Sequence, residues 1–376
     1  MRCGRSGVPT TTLAALLLAL PAAGQWTASE EAKLLAGDTA AGDHFGESVS
    51  IAGDTAAVGA YLDTHAGGSE AGAAYVFVRS GTTWTQQQKL VASDAASDDH
   101  FGLTVSLSGD TILVGAPNDQ TPAGIGAGSA YVFVRSGTTW TQQQKLTASD
   151  AAASDVFGYA VAISGETALI GAPNDDNASG NNAGAAYVFV RSGTTWTEQQ
   201  KLMAGDAAPG DLFGIAAALS GDTAVLGARL DDHSALANAG SAYVVTRKGT
   251  VWTEEQKLTA SDAGAGDWFG IAVGVSGDTA VVGAFQDDDG GADSGSAYVF
   301  ARSGATWSEA DKLTAGDAAA GDWFGVSIAL EGGAAVVGAS KDDHGGFTDA
   351  GSGYGVLPDG ARSEEHTSEL QSLAYL

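Results

Sequence analysis

One residue pair, Phe-Gly, recurs along this chain so regularly that it decides most of what the chain can become. The pair begins at Phe45, Phe101, Phe157, Phe213, Phe269 and Phe324, a spacing of 56 residues four times and then 55. Gly-Ala pairs follow in register at Gly59, Gly115, Gly171, Gly227, Gly283 and Gly338, and tyrosines at Tyr75, Tyr131, Tyr187, Tyr243, Tyr298 and Tyr354. Trp84, Trp140, Trp196, Trp252 and Trp307 complete the unit, and Trp26 opens the series with two extra residues before its Phe-Gly. A period of this length marks an array of small structural units that bury their apolar faces on one another.

Within one period the pattern reads as four short strands. Gly158 to Ile163 alternates small and apolar residues, Ser164-Gly165-Glu166 turns, and Thr167 to Ile170 continues. After an acidic loop, Ala185 to Arg191 is rich in β-branched and aromatic residues, Ser192-Gly193 turns again, and Trp196 to Leu202 makes a fourth strand. Six such units predict an all-β fold, a β-propeller of six four-stranded blades. A β-solenoid fits less well, because it would leave open strand edges. The 54 glycines, which follow no Gly-X-Y period, belong to the turns. Residues 25–361 number 337, and six periods of 56 make 336; the series starts on a lone fourth strand at Trp26 and ends after a third at Tyr354. That offset predicts a ring closed by the N-terminal strand pairing into the last blade.

Residues 1–24 read as a signal peptide: Arg2 and Arg5, the apolar run Leu13 to Leu20, then the small-residue exit Pro21-Ala22-Ala23-Gly24. The apolar run is far shorter than the roughly 20 residues that span a bilayer, so no membrane insertion is expected. Localisation is expected to be secreted, extracellular or periplasmic. Cys3, the single cysteine, would leave with the signal, so the mature chain is expected to lack disulfides and cysteine ligands. At the other end Arg362 to Ser372 looks like the translation of a sequencing adapter, so residues 362–376 are read as an artefact tail beyond a propeller domain at 25–361. Apolar residues at 44% suffice for a core, and a net charge of -28 excludes a nucleic-acid partner, whose phosphates would be repelled.

The segments Phe101-Gly102 … Gly115-Ala116-Pro117 and Phe157-Gly158 … Gly171-Ala172-Pro173 resemble the FG-GAP repeat of the integrin α-subunit N-terminal propeller and of many secreted bacterial proteins. The other copies replace the proline by Tyr61, Arg229, Phe285 or Ser340. The resemblance implies a monomeric propeller presenting a binding face to an extracellular protein or glycan. In the family's calcium-binding blades a D-x-D-x-D-G-x-x-D loop precedes the Gly-Ala strand. Here only Ser108-Gly109-Asp110-Thr111 and its equivalents stand there, too few oxygens for Ca²⁺, so those sites are not carried over. No cofactor is assigned, and Ca²⁺ remains the candidate for the acidic loops.

Those loops emerge on one face by strand alternation. Three aspartates recur in each unit: Asp63, Asp119, Asp175, Asp231, Asp287 and Asp342 after Gly-Ala; Asp43, Asp99, Asp155, Asp211, Asp267 and Asp322 before Phe-Gly; and Asp38, Asp94, Asp150, Asp206, Asp262 and Asp317 further upstream. They read either as a cation-binding face or as turn-capping groups. The densest loop, Asp287, Asp288, Asp289 and Asp293, is the first choice for a metal. His65, His233 and His344 share a loop position held elsewhere by Thr121, Asn177 and Asp289, while His44 and His100 precede Phe-Gly. They read as ordinary surface histidines. Lys89 and its equivalents read as charges that discourage edge pairing, and Trp84 and Leu90 as packing between blades. Trp268 and Trp323 break the repeat and mark a ligand patch together with Asp231, Asp232, His233, Asp342, Asp343 and His344. Asn177-Ala178-Ser179 fits a glycosylation acceptor. No Ser/His/Asp constellation stands out, and carboxylate pairs of the kind glycosidases use recur in every blade alike. The sequence therefore favours a secreted non-catalytic binding or adhesion module, with an extracellular hydrolase or lyase as the alternative.

Overall fold

The computed structural model describes residues 32–343 and 347–356. The signal segment, Trp26, His344 and the 362–376 tail lie outside them. The architecture is all-β: five four-stranded antiparallel sheets and one of three strands, each a sequential meander. In the third blade the strands are Ala160–Ser164, Thr167–Ala172, Ala185–Ser192 and Thr195–Leu202, within a residue or two of the sequence reading. The second strand of that blade is buried along its whole length, as expected of a strand covered on both faces. The last blade comprises Phe324–Glu331, Ala334–Ala339 and Ser352–Val356. No fourth strand pairs with Ser352–Val356 among the described residues, and 32–36 lie outside any strand. The expected N-terminal closing strand is thus not drawn by the residues described.

The repeated residues are those that join blade to blade. Leu90 and Ala92, at the end of one blade's outer strand, pack with Phe101, Tyr131 and Trp140 of the next; Trp140 is 2% exposed. A register shift in the outer hairpin, between Val132 and Phe133, leaves Gln143 unpaired. Gln143 accepts from Trp196 Nε1 of the next blade at 3.0 Å, and Gln144 accepts from Trp196 N and donates to Trp196 O, both at 2.8 Å. Near the axis the inner strands are linked by serines, Leu107 N donating to Ser50 Oγ and Ile163 N to Ser106 Oγ.

The Phe-Gly and Gly-Ala motifs are two halves of one joint. A Cβ on Gly115 would lie 2.0 Å from the carbonyl oxygen of Gly158 in the following blade, and Gly158, at φ +95°, donates its N–H to Gly171 O. Only glycine permits that approach and that φ. Phe157 is fully buried and lies edge-on to Tyr187, with ring centroids 5.5 Å apart. The residue before each Phe-Gly pays a conformational cost: His44, His100, Val156, Leu212, Trp268 and Trp323 all have φ between 52° and 62°, a region non-glycine residues seldom enter and β-branched valine least of all.

Candidate binding face

The three aspartate series meet in a network that repeats from blade to blade. In the third blade Tyr187 Oη lies 2.8 Å from both Asp150 and Asp175, sharing its single proton between them. Lys201, opposite Tyr187 across the outer hairpin, reaches the same two carboxylates at 2.7 and 2.8 Å and lies over the tyrosine ring. Lys89, Lys145, Lys257 and Lys312 do the same, with ammonium–carboxylate distances of 2.6–3.1 Å. These lysines were expected to guard strand edges. The structure corrects that reading: the facing tyrosine gives each stem an apolar track to the loops, where the ammonium neutralises two carboxylates, one of them buried.

The remaining series hold loop backbone. Asp99, Asp155, Asp211 and Asp322 are buried, and each accepts the N–H three residues upstream at 2.6 Å. Burial pushes these carboxyls up, to about 6 for Asp155 and Asp211. For Asp150, burial works in the same direction, but the hydrogen bonds from Lys201 and Tyr187 outweigh it and hold the carboxyl below 3.8.

The proposed metal residues divide between these roles. Asp287 accepts from Ser296 Oγ and Tyr298 Oη, while Asp288 accepts the backbone N–H of Asp293 at 2.8 Å. Asp262, Asp287 and Asp289 bring oxygens within 4.8 Å of one another, and Lys312 Nζ bonds all three at 2.6–3.1 Å. The ammonium already holds the position a cation would take. Ca²⁺, which takes six to eight oxygens, would have to displace it, and Asp288 and Asp293 do not join the cluster.

Of the proposed ligand patch, Asp232 and Asp343 accept the N–H groups of Asn238 and Asp349, six residues on. Asp231 is bonded by Ser241 and Lys257, and Asp342 by Ser352 and Tyr354. The histidine position is a loop clamp: His65 and Asn177 each accept the N–H two residues on and contact the carbonyl seven residues on. The Asn177 amide is thereby engaged within its own loop. His233 makes neither contact among the described residues, and its Nε2 is buried without a partner.

Trp268 and Trp323 lie in a different setting. Residues before Phe-Gly and after Gly-Ala alternate along the inner edge of the loop face. In the last three blades they form one column, which Lys341, one residue past Ser340, closes: Arg229 stacks on Trp268 at 4.9 Å, Trp268 meets Phe285 at 5.4 Å, Phe285 meets Trp323 at 4.9 Å, and Lys341 Nζ lies 3.3 Å from the Trp323 ring centre. In the first two blades the same positions hold His44, Tyr61 and His100, with successive ring centroids 5.2 Å apart. Sequence reasoning found the two tryptophans but missed Arg229, Phe285 and Lys341. Two of these were already visible as the residues that replace proline after Gly-Ala.

A meandering six-blade sheet assembly jointed at Phe-Gly and Gly-Ala defines a β-propeller of tandem repeats. The FG-GAP repeat profile matches six times, at residues 28–77, 84–133, 140–189, 196–245, 252–300 and 307–357. The chain belongs to the FG-GAP repeat family, consistent with an integrin α-like propeller. No curated protein sequence matches it significantly. No helix among the described residues is long and apolar enough to cross a membrane.

Proposed function

We propose that this chain is a secreted, non-catalytic binding module that recognises an extracellular protein through its loop face and needs no Ca²⁺ to do so. One observation carries this reading: the loop carboxylates are spent on internal lysines, tyrosines and backbone N–H groups, while departures from the repeat gather in the Arg229–Trp268–Phe285–Trp323–Lys341 column. FG-GAP repeats are often protein-binding modules and are typical of extracellular proteins, which supports this reading. Asp155 and Asp211, raised to about 6, have the proton affinity of a general acid. Each is tied to its own loop backbone and has equivalents in the other blades, so a hydrolase or lyase is the weaker reading. The protein should bind a subset of spots on an array of extracellular proteins and glycans, equally with Ca²⁺ and with EDTA. Trp268→Ala with Trp323→Ala should abolish that binding. Silence across the array, or binding that vanishes with EDTA, would refute the proposal.

A further inference from the structure

Ten cations repeat through the blades and all are ion-paired. Arg79, Arg135, Arg191, Arg247 and Arg302 bond the acid of the turn at the opposite end of each blade, and the five network lysines bond the loop aspartates. Arg229 and Lys341 belong to neither set. Among the described residues neither forms an ion pair or a side-chain hydrogen bond, and Arg229 Nε is buried without a partner. Lys33 and Lys248 also lack an ion pair among the described residues, but both are exposed, whereas Arg229 and Lys341 are half-buried. In a chain with 45 acidic residues, two half-buried cations without an ion pair among the described residues are out of character. Both are instead stacked on tryptophan faces. Stacking leaves a guanidinium's in-plane donors unused by the ring; with Nε buried, the two terminal nitrogens of Arg229 are the pair that can receive a carboxylate in two parallel hydrogen bonds. Beside it Trp268 and Trp323 are half-buried and Phe285 is 6% exposed, so the column pairs an apolar platform with a positive charge at each end.

We infer that this column is a receptor for an acidic peptide segment of a partner protein, taking one Asp or Glu carboxylate on Arg229 and an adjacent apolar side chain against Trp268 and Trp323, with Lys341 assisting. This rests on reading the loop face as a binding face. The net charge of -28 narrows the ligand further: a polyanion would be repelled over most of the surface, whereas a segment with a single carboxylate meets mainly the two local cations. The partner is therefore a peptide and not an acidic polysaccharide.

The test is a tryptophan-fluorescence titration of the whole protein with acetyl-Phe-Asp-Leu-amide, its Asn counterpart acetyl-Phe-Asn-Leu-amide, and a glucuronate oligosaccharide. The Asp peptide should bind at least about tenfold more tightly than the Asn peptide, the discrimination expected of one charge-assisted pair. Arg229→Gln should remove that discrimination and Lys341→Gln should reduce it. Arg247→Gln, at the far end of its blade, should change nothing, and matched unfolding curves would show that all three variants are folded. Equal affinity for the Asp and Asn peptides, undiminished binding by Arg229→Gln, no peptide binding up to millimolar concentration, or preference for the glucuronate would each overturn the inference. Array binding that survives Arg229→Gln overturns this inference alone; a silent array overturns the binding-module reading with it.

Discussion

The third and sixth blades carry the same Tyr–Asp–Asp cluster, but among the described residues only the third has a lysine in it. Lys201 binds both Asp150 and Asp175. In the sixth blade Tyr354 lies 2.8 Å from Asp317 and 3.4 Å from Asp342, and no described lysine reaches either. Tyr354 is half-buried where Tyr187 is fully buried. The difference teaches what the lysine is for. Asp342 stays buried without a described cation, held by Ser352 and Tyr354, so the lysine does not decide burial of the carboxylate; where it is absent, the tyrosine contact lengthens and the tyrosine is wetter. Charge in this protein is thus largely internal scaffolding, and the outer face is less reactive than its aspartate content suggests.

The largest test of that contrast removes the cation. Lys201→Met keeps the stem but strands Asp175, which is 2% exposed, and should cost about 3 kcal/mol by denaturant unfolding. A cost below 1 kcal/mol would mean that the ammonium is incidental. The tyrosines come next. Tyr187→Phe removes a donor shared by two carboxylates and should cost about 1.5 kcal/mol, whereas Tyr354→Phe in the looser blade should cost roughly half of that. Equal losses would erase the distinction between the blades.

Most of the fold was legible because a strict period leaves little freedom. Four strands per unit, the turn at Ser164-Gly165-Glu166 and the aromatic third strand follow from alternation and glycine placement, and Phe157 and Gly171 repeat because they form the joint between blades. The lysine network was not legible. Lys201 meets Tyr187 through strand register, but its partner Asp150 lies 51 residues away, and nothing local says that the loop folds back. Read in one dimension, a repeated lysine on an outer strand looks like edge protection. The ligand column was half legible: Trp268 and Trp323 stand out by size, but Arg229 and Phe285 looked like mere failures of a proline. They matter because Arg229 falls against Trp268 and Phe285 against Trp323, in each case the tryptophan of the following blade.

Acid titration separates the buried, backbone-holding carboxyls from the exposed, lysine-bonded ones. Asp155 and Asp211, at about 6, lie above the ordinary 3.8, so the stability they contribute is complete below 3.8 and is lost as pH rises through 6. Asp94, Asp150, Asp206 and Asp262 lie below 3.8 in the folded protein, because lysine and tyrosine hydrogen bonds outweigh their burial; their contribution is present above 3.8 and is lost as pH falls beneath it. The unfolding free energy should therefore rise on acidification from pH 7.5 to about 4.5, by on the order of 1 kcal/mol per raised carboxyl, with a higher melting temperature, and then drop steeply below 3.8. In Asp155→Asn and Asp211→Asn together the rise should shrink, the rest coming from Asp99, Asp267 and Asp322, which burial also pushes up, while the steep drop remains. An unchanged rise in that double variant would place the neutral-pH penalty elsewhere.

The smallest effect belongs to the arginines at the other end of the blades. Arg191 pairs with Glu166 on a turn where the acid is 60% exposed, and the guanidinium also lies over Trp196. A pair of this kind contributes well under 1 kcal/mol, so Glu166→Gln should shift the unfolding midpoint barely above error and lose even that in 1 M salt, where screening acts within about 3 Å. The lysine network, with one carboxylate of each pair buried, should keep most of its contribution in the same salt. If Lys201→Met and Glu166→Gln respond alike to salt, the loop network is no better shielded than a surface ion pair, and the contrast between scaffold charge and surface charge fails.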